Sequence, residues 1–177
     1  MTQQALGLGY WHLTVVPAGL ILLLIAACAD LRSRTIPNWI SVALAGLGLT
    51  GRLLTGPGAA AISVALAAAL FLVLSVAHAR GGIGGGDVKL MSAVALGLSP
   101  LGVYQMLLVT AFAGGVLAVV HLLSRRLPRP ACSRPGTSRI RRLWTIEKWR
   151  WRRPGCLPYG VAIACGGGWA LLAGAGT

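Results

Sequence analysis

A chain of 177 residues that is 56% hydrophobic and only 11% charged, with a mean hydropathy of +0.76, is not an ordinary soluble domain, since such domains carry about 25% charged residues. Its net charge of +13 would point to nucleic acid in a soluble protein. In an apolar chain, basic residues instead collect in cytoplasmic loops, so no nucleic-acid partner is expected.

The charges are clumped: residues 1–29, 53–79, 90–124 and 154–177 carry none. Apolar runs of about 18 residues or more read as membrane-spanning helices. Span 1 is expected at about Leu13–Ala29. It lacks the basic start of a removable signal, and Asp30 stands where a small-residue cleavage site would be. Span 2 follows at about Pro37–Leu54, with Pro37 in a first helical turn and Asn38 beside it as start signals. After the turn "TGPG", Thr55–Gly58, span 3 covers about Ala59–Ala79. The uncharged run Leu90–Ser124 is 35 residues long. As one helix it would reach about 52 Å, against a hydrocarbon core of about 30 Å. Pro100 in "SPLG" disfavours a helical residue before it. The run then divides into span 4, about Ile83–Ser99, and span 5, about Leu101–Leu123. The loop 124–155 mixes arginines with Trp144, Trp149 and Trp151. Within it, Ile140–Trp151 is expected to form a surface helix, rings among the headgroups and arginines on anionic lipid. Span 6 is about Leu157–Ala173. The expected architecture is all-α: a polytopic membrane protein of six transmembrane helices in one membrane-embedded domain, residues 1–177.

Charge selects six spans over five. With six, the loops Asp30–Ile36, Arg80–Lys89 and Ser124–Gly155 share one side and hold 15 of the 16 Lys and Arg residues, leaving Arg52 opposite. With five, the 11 basic residues of the last loop oppose the rest. The positive-inside rule favours six, with these loops cytoplasmic and both termini outside. Asp30 then ends span 1, and Asp87 begins span 4, at similar depth on one side.

The chain has three acidic residues, Asp30, Asp87 and Glu147. A carboxylate at a helix centre costs about 2.5–3.5 kcal/mol to insert, less toward the ends, so intramembrane acids read as functional. The plain alternative pairs Asp30 with Arg32 or Arg34, and Asp87 with Lys89; Glu147 has neighbouring arginines. Ahead of Asp87, "GGIGGG" includes Gly84, Gly85 and Gly86, backbone without side chains. Such backbone permits close approach and is tolerated at membrane depth where it lines a cavity, so Asp87 is expected to open a short helix at the wall of a wet cleft. Two facing carboxylates cannot both ionise easily and hold one shared proton. The ionised member can take a proton from water and the protonated member can donate to a carbonyl oxygen. That suits peptide hydrolysis with no metal, no cofactor and no covalent intermediate. The same pair could relay protons in a small proton-coupled transporter, and a non-catalytic scaffold would need neither acid.

Three blocks carry a family resemblance: "DLRSRTIPN" from Asp30, "GGGDVK" from Gly84 and "LPYGVAIACGG" from Leu157. In this order they resemble the type IV prepilin peptidases, a family of G-x-G-D intramembrane aspartyl proteases. Short size and "PYGVAI" look most like the branch serving Flp-type pili. The resemblance implies that Asp30 and Asp87 are the catalytic aspartates. It also implies a substrate: a pilin-like precursor whose basic leader is removed at the cytoplasmic membrane face. Larger members carry a four-cysteine zinc domain with N-methyltransferase activity. Here Cys28, Cys132, Cys156 and Cys165 form no C-x-x-C pair, so neither a metal site nor N-methylation is expected.

The remaining candidates are supporting residues. Pro37 and Asn38 read as a helix start or as positioning groups for Asp30 or substrate. Lys89 reads as a modulator of an aspartate or a ligand of lipid phosphate. In Pro158–Tyr159–Gly160, Tyr159 and Gly160 would let span 6 approach the site closely, with Tyr159 equally an interfacial anchor. Cys28 and Cys165 are expected as small core residues. His12, His78 and His121 are expected at polar interface positions near span ends. The oligomeric state is not legible.

Overall fold

The computed structural model describes residues 11–126 and 159–174, which form helices and no strand. A π-helical turn at Trp11–Val15 leads into α1, Val16–Ser33. Then follow α2 (Asn38–Thr55), α3 (Pro57–Ala79), α4 (Gly85–Gly97), α5 (Pro100–Arg126) and α6 (Tyr159–Gly174). The six helices fall on the six expected spans. Three stretches, Leu13–Ser33, Pro57–Ala79 and Pro100–Leu123, are long and apolar enough to cross a membrane. Residues 127–158, with the expected surface helix Ile140–Trp151, Glu147, Cys132, Cys156 and Pro158, lie outside the described residues.

The boundaries follow local chemistry. At the end of α1, Arg34 adopts the left-handed conformation (φ 54°) and its N–H donates to the Asp30 carbonyl at 2.9 Å. The "TGPG" turn contracts to a single residue, Gly56 at φ 145°, because Pro57 already opens α3; proline at a first helical position gives up an N–H that had no partner there. Between α4 and α5, the Ser99 hydroxyl accepts from the Gly102 N–H at 3.2 Å, an N-cap for the helix that Pro100 begins. At the end of α3, Gly81 (φ 78°) donates to the His78 carbonyl and Gly82 to the Ala77 carbonyl. This paired pattern, with a left-handed glycine, is a Schellman cap.

The main departure from expectation is α4. Its 13 residues reach about 20 Å, shorter than the expected Ile83–Ser99. It packs against α2, α3 and α6, with Leu90, Val94 and Ala95 among its buried residues. Lipid tails are as apolar as leucine, so helices in a bilayer associate through close packing of small residues and through hydrogen bonds. Accordingly α2 and α4 touch backbone to backbone: a Cβ on Gly48 would lie 2.5 Å from Gly97 Cα. Likewise a Cβ on Gly166 of α6 would strike the Thr110 hydroxyl and the Met106 carbonyl of α5. Outward faces are apolar, with Leu24, Leu72 and Phe112 exposed. Cys28 and Cys165 are also exposed, contrary to the core role expected of them; both lie on outward helix faces, where a short apolar side chain is at no disadvantage in lipid.

The chain divides into two compact units, residues 1–113 with 158–177, and residues 114–157. The first holds the core, built around Leu23, Ile40, Leu90, Leu98, Met106 and Ile163. The second contains the C-terminal part of α5, whose Val119, Leu122 and Leu123 are exposed.

Candidate active site

Asp30 lies in the last turn of α1 and is only 7% exposed. The first turn of any helix leaves N–H groups without intrahelical partners and carries partial positive charge. Gly160, the second residue of α6, points one such N–H at Asp30, and Oδ2 accepts it at 2.8 Å. The approach is as close as the backbone allows. A Cβ on Gly160 would sit 2.8 Å from both Cβ and Oδ2 of Asp30. The glycine of "PYG" is therefore a contact surface for the carboxylate, and Asp30 anchors the start of α6 across 130 residues of sequence.

Asp87 is the third residue of α4 and is half-buried. An acid in the first turn complements the helix dipole. Its side chain folds back over the residue before the helix: a Cβ on Gly84 would lie 3.0 Å from Asp87 Oδ2. Gly84 also accepts the Asp87 N–H through its carbonyl, at 3.1 Å. Gly86 lies beside Ile36, which joins the loop after Asp30 to the start of α4. Asp30 is a charged neighbour acting on the Asp87 carboxyl, and Arg34 is one acting on Asp30. Two acids 57 positions apart thus share one end of the bundle, with the starts of α2, α4 and α6.

Not every expected partner joins them. Lys89 Nζ donates to Asn38 Oδ1 at 3.2 Å, so its ammonium ties α4 to α2. Residues two apart on a helix do not face each other, which is why Lys89 and Asp87 diverge. The helix α2 begins at Asn38, where the start was expected, but without a side-chain cap, and Pro37 is the extended residue before it rather than part of the first turn. Tyr159 is 43% exposed beside Gly160. One residue was missed in the sequence. His78, expected only as a polar interface group, hydrogen-bonds the Ile83 carbonyl through Nδ1 at 2.7 Å and lies against Gly85. The available signal was a histidine closing a span immediately before a glycine run. Among the described residues, no three His, Cys, Asp or Glu side chains gather as a metal site requires.

The arrangement offers two carboxyl groups of unequal setting, one held by a backbone N–H at a helix start and one on a glycine-flanked first turn. A pair of this kind can divide the general-acid and general-base tasks of hydrolysis. In comparisons with known proteins, the type IV leader peptidase family matches residues 18–119, more than half of the chain. No curated protein and no solved structure matches it significantly.

Proposed function

The chain belongs to the type IV leader peptidase family, and from that premise we propose that it is an aspartyl endopeptidase using Asp30 and Asp87. One carboxylate takes a proton from water as the water attacks the scissile carbonyl. The other, protonated, donates to the carbonyl oxygen and later accepts the proton back as the amide nitrogen leaves with one. The observation that carries the reading is the approach of α6: Gly160 is packed against Asp30 with a hydrogen bond to one carboxylate oxygen, at the bundle end that also holds Asp87.

The substrate is a prepilin- or pseudopilin-like membrane protein whose basic leader is cut off at the cytoplasmic face. The distribution of 15 of 16 basic residues supports this sidedness, with both termini outside and loop 124–155 on anionic lipid. The motif "PYGVAI" supports a precursor of the Flp-type pilus class.

The test is co-expression with a Flp-type pilin precursor, read as a size shift on a gel. Asp30→Asn and Asp87→Asn, each alone, are expected to lower cleavage by at least about 100-fold while the protein still accumulates in the membrane. Normal cleavage by either variant refutes the dyad. Absence of cleavage by the unaltered protein, together with aspartate-dependent proton flux in proteoliposomes, would establish a transporter instead.

A further inference from the structure

We infer that His78 is a positioning residue: its imidazole, set between the Ile83 carbonyl and Gly85, holds the α3–α4 loop in the shape that presents Asp87. The inference rests on the peptidase reading of Asp87 for its kinetic consequences, but its structural part does not.

Five of the six residues from Gly81 to Gly86 are glycine. Glycine loses more conformational freedom on ordering than any other residue and has no side chain with which to hold itself. A catalytic group, by contrast, must be held in one geometry, since a displacement of about 1 Å can cost about 100-fold in rate. A loop of this composition, leading directly into Asp87, therefore needs restraint from outside. Its first part has one in the cap at the end of α3, where Gly81 and Gly82 donate to the carbonyls of His78 and Ala77. Its last part is ordered by the first turn of α4, where Asp87 and Val88 donate to the Gly84 carbonyl. Between them stands Ile83, and His78 spans that gap.

The geometry of His78 is specific. Nδ1 lies 2.7 Å from the Ile83 carbonyl oxygen. A carbonyl oxygen only accepts, so Nδ1 carries the hydrogen; the neutral Nδ1–H tautomer and the imidazolium both satisfy this. On its other edge the ring meets α4. A Cβ on Gly85 would lie 3.3 Å from Cε1 and 3.4 Å from Nε2. One ring thus engages the middle of the loop and the first residue of the helix that carries Asp87. An interface histidine needs only water or headgroups and has no reason to make both contacts.

The decisive series uses side-chain geometry. Asparagine places an amide donor where histidine has Nδ1, whereas glutamine carries its donor one carbon farther out and alanine has none. His78→Ala and His78→Gln are expected to lower kcat about tenfold on a Flp-type precursor, with KM within about twofold, while His78→Asn stays within about threefold of the unaltered enzyme. In detergent, amide exchange over residues 80–86 is expected to quicken at least about fivefold in the Ala and Gln variants and to stay near the parent rate in Asn. Unchanged exchange in His78→Ala overturns the inference, as does an Asn variant that loosens as much as Gln. Should the unaltered protein cleave no precursor, the peptidase reading fails on its own, and the exchange series still decides whether His78 holds the loop.

Discussion

The two ends of α4 treat polar groups in opposite ways. At its C-terminal end, Ser63 is completely buried and its hydroxyl both accepts and donates: it accepts from Arg52 Nε at 2.9 Å and donates to the Leu98 carbonyl at 2.9 Å. Nearby, Gly48 and Gly97 bring α2 and α4 into backbone contact. That end is sealed, and its polar atoms serve the fold. At the N-terminal end, Asp30 is hydrogen-bonded to the Gly160 N–H, Asp87 is only half-buried, and a glycine-rich loop replaces packed helix. Hydrogen-bonding capacity enclosed by protein on all sides stabilises the fold, whereas at the other end a carboxyl group is left half-open beside a second acid. The short α4 joins a sealed end to a half-open one.

Matched glycine substitutions test this division most directly. Gly160→Ala forces a methyl group into the Asp30 carboxylate, and cleavage is expected to fall about 100-fold at equal amounts of folded protein, measured on purified enzyme. Gly48→Ala makes a comparable intrusion at the sealed end. It is expected to lower stability by about 1–3 kcal/mol, seen as a reduced melting temperature in detergent, while activity per folded molecule changes less than about threefold. Equal loss of activity in the two variants would break the comparison. Ser63→Ala leaves Arg52 Nε and the Leu98 carbonyl without that hydroxyl and should cost about 1–2 kcal/mol, again with activity per folded molecule near normal. The smallest effect belongs to Lys89→Ala. Its bond to Asn38 is exposed and 3.2 Å long, so the expected cost is below about 1 kcal/mol. Asn38→Ala should match it, and the double variant should be no worse than either.

Much of the helical layout was legible because its causes are local. Apolar runs and charge gaps mark the helices, Pro37–Asn38 and Pro100 mark two starts, and the glycines after Ala79 mark a break. The shortness of α4 was legible in part: the glycines ahead of Asp87 already point to a short helix opening there, but its end at Gly97 and its burial depend on packing against α2, α3 and α6. His78 escaped notice for a related reason: its partner Ile83 lies in a loop whose path no periodicity describes.

By itself, the sequence determined that this is an all-helical membrane protein with an aspartate at the end of its first apolar span and another at the start of its fourth, because hydropathy, charge and turn chemistry act over a few neighbouring residues. Tertiary structure alone decided that the Gly160 N–H donates to an Asp30 oxygen, that Lys89 turns to Asn38, and that Ser63 fastens the far end of α4. Those choices depend on which helix faces meet, and in lipid that is settled by the fit of small residues and by hydrogen bonds between segments distant in the chain.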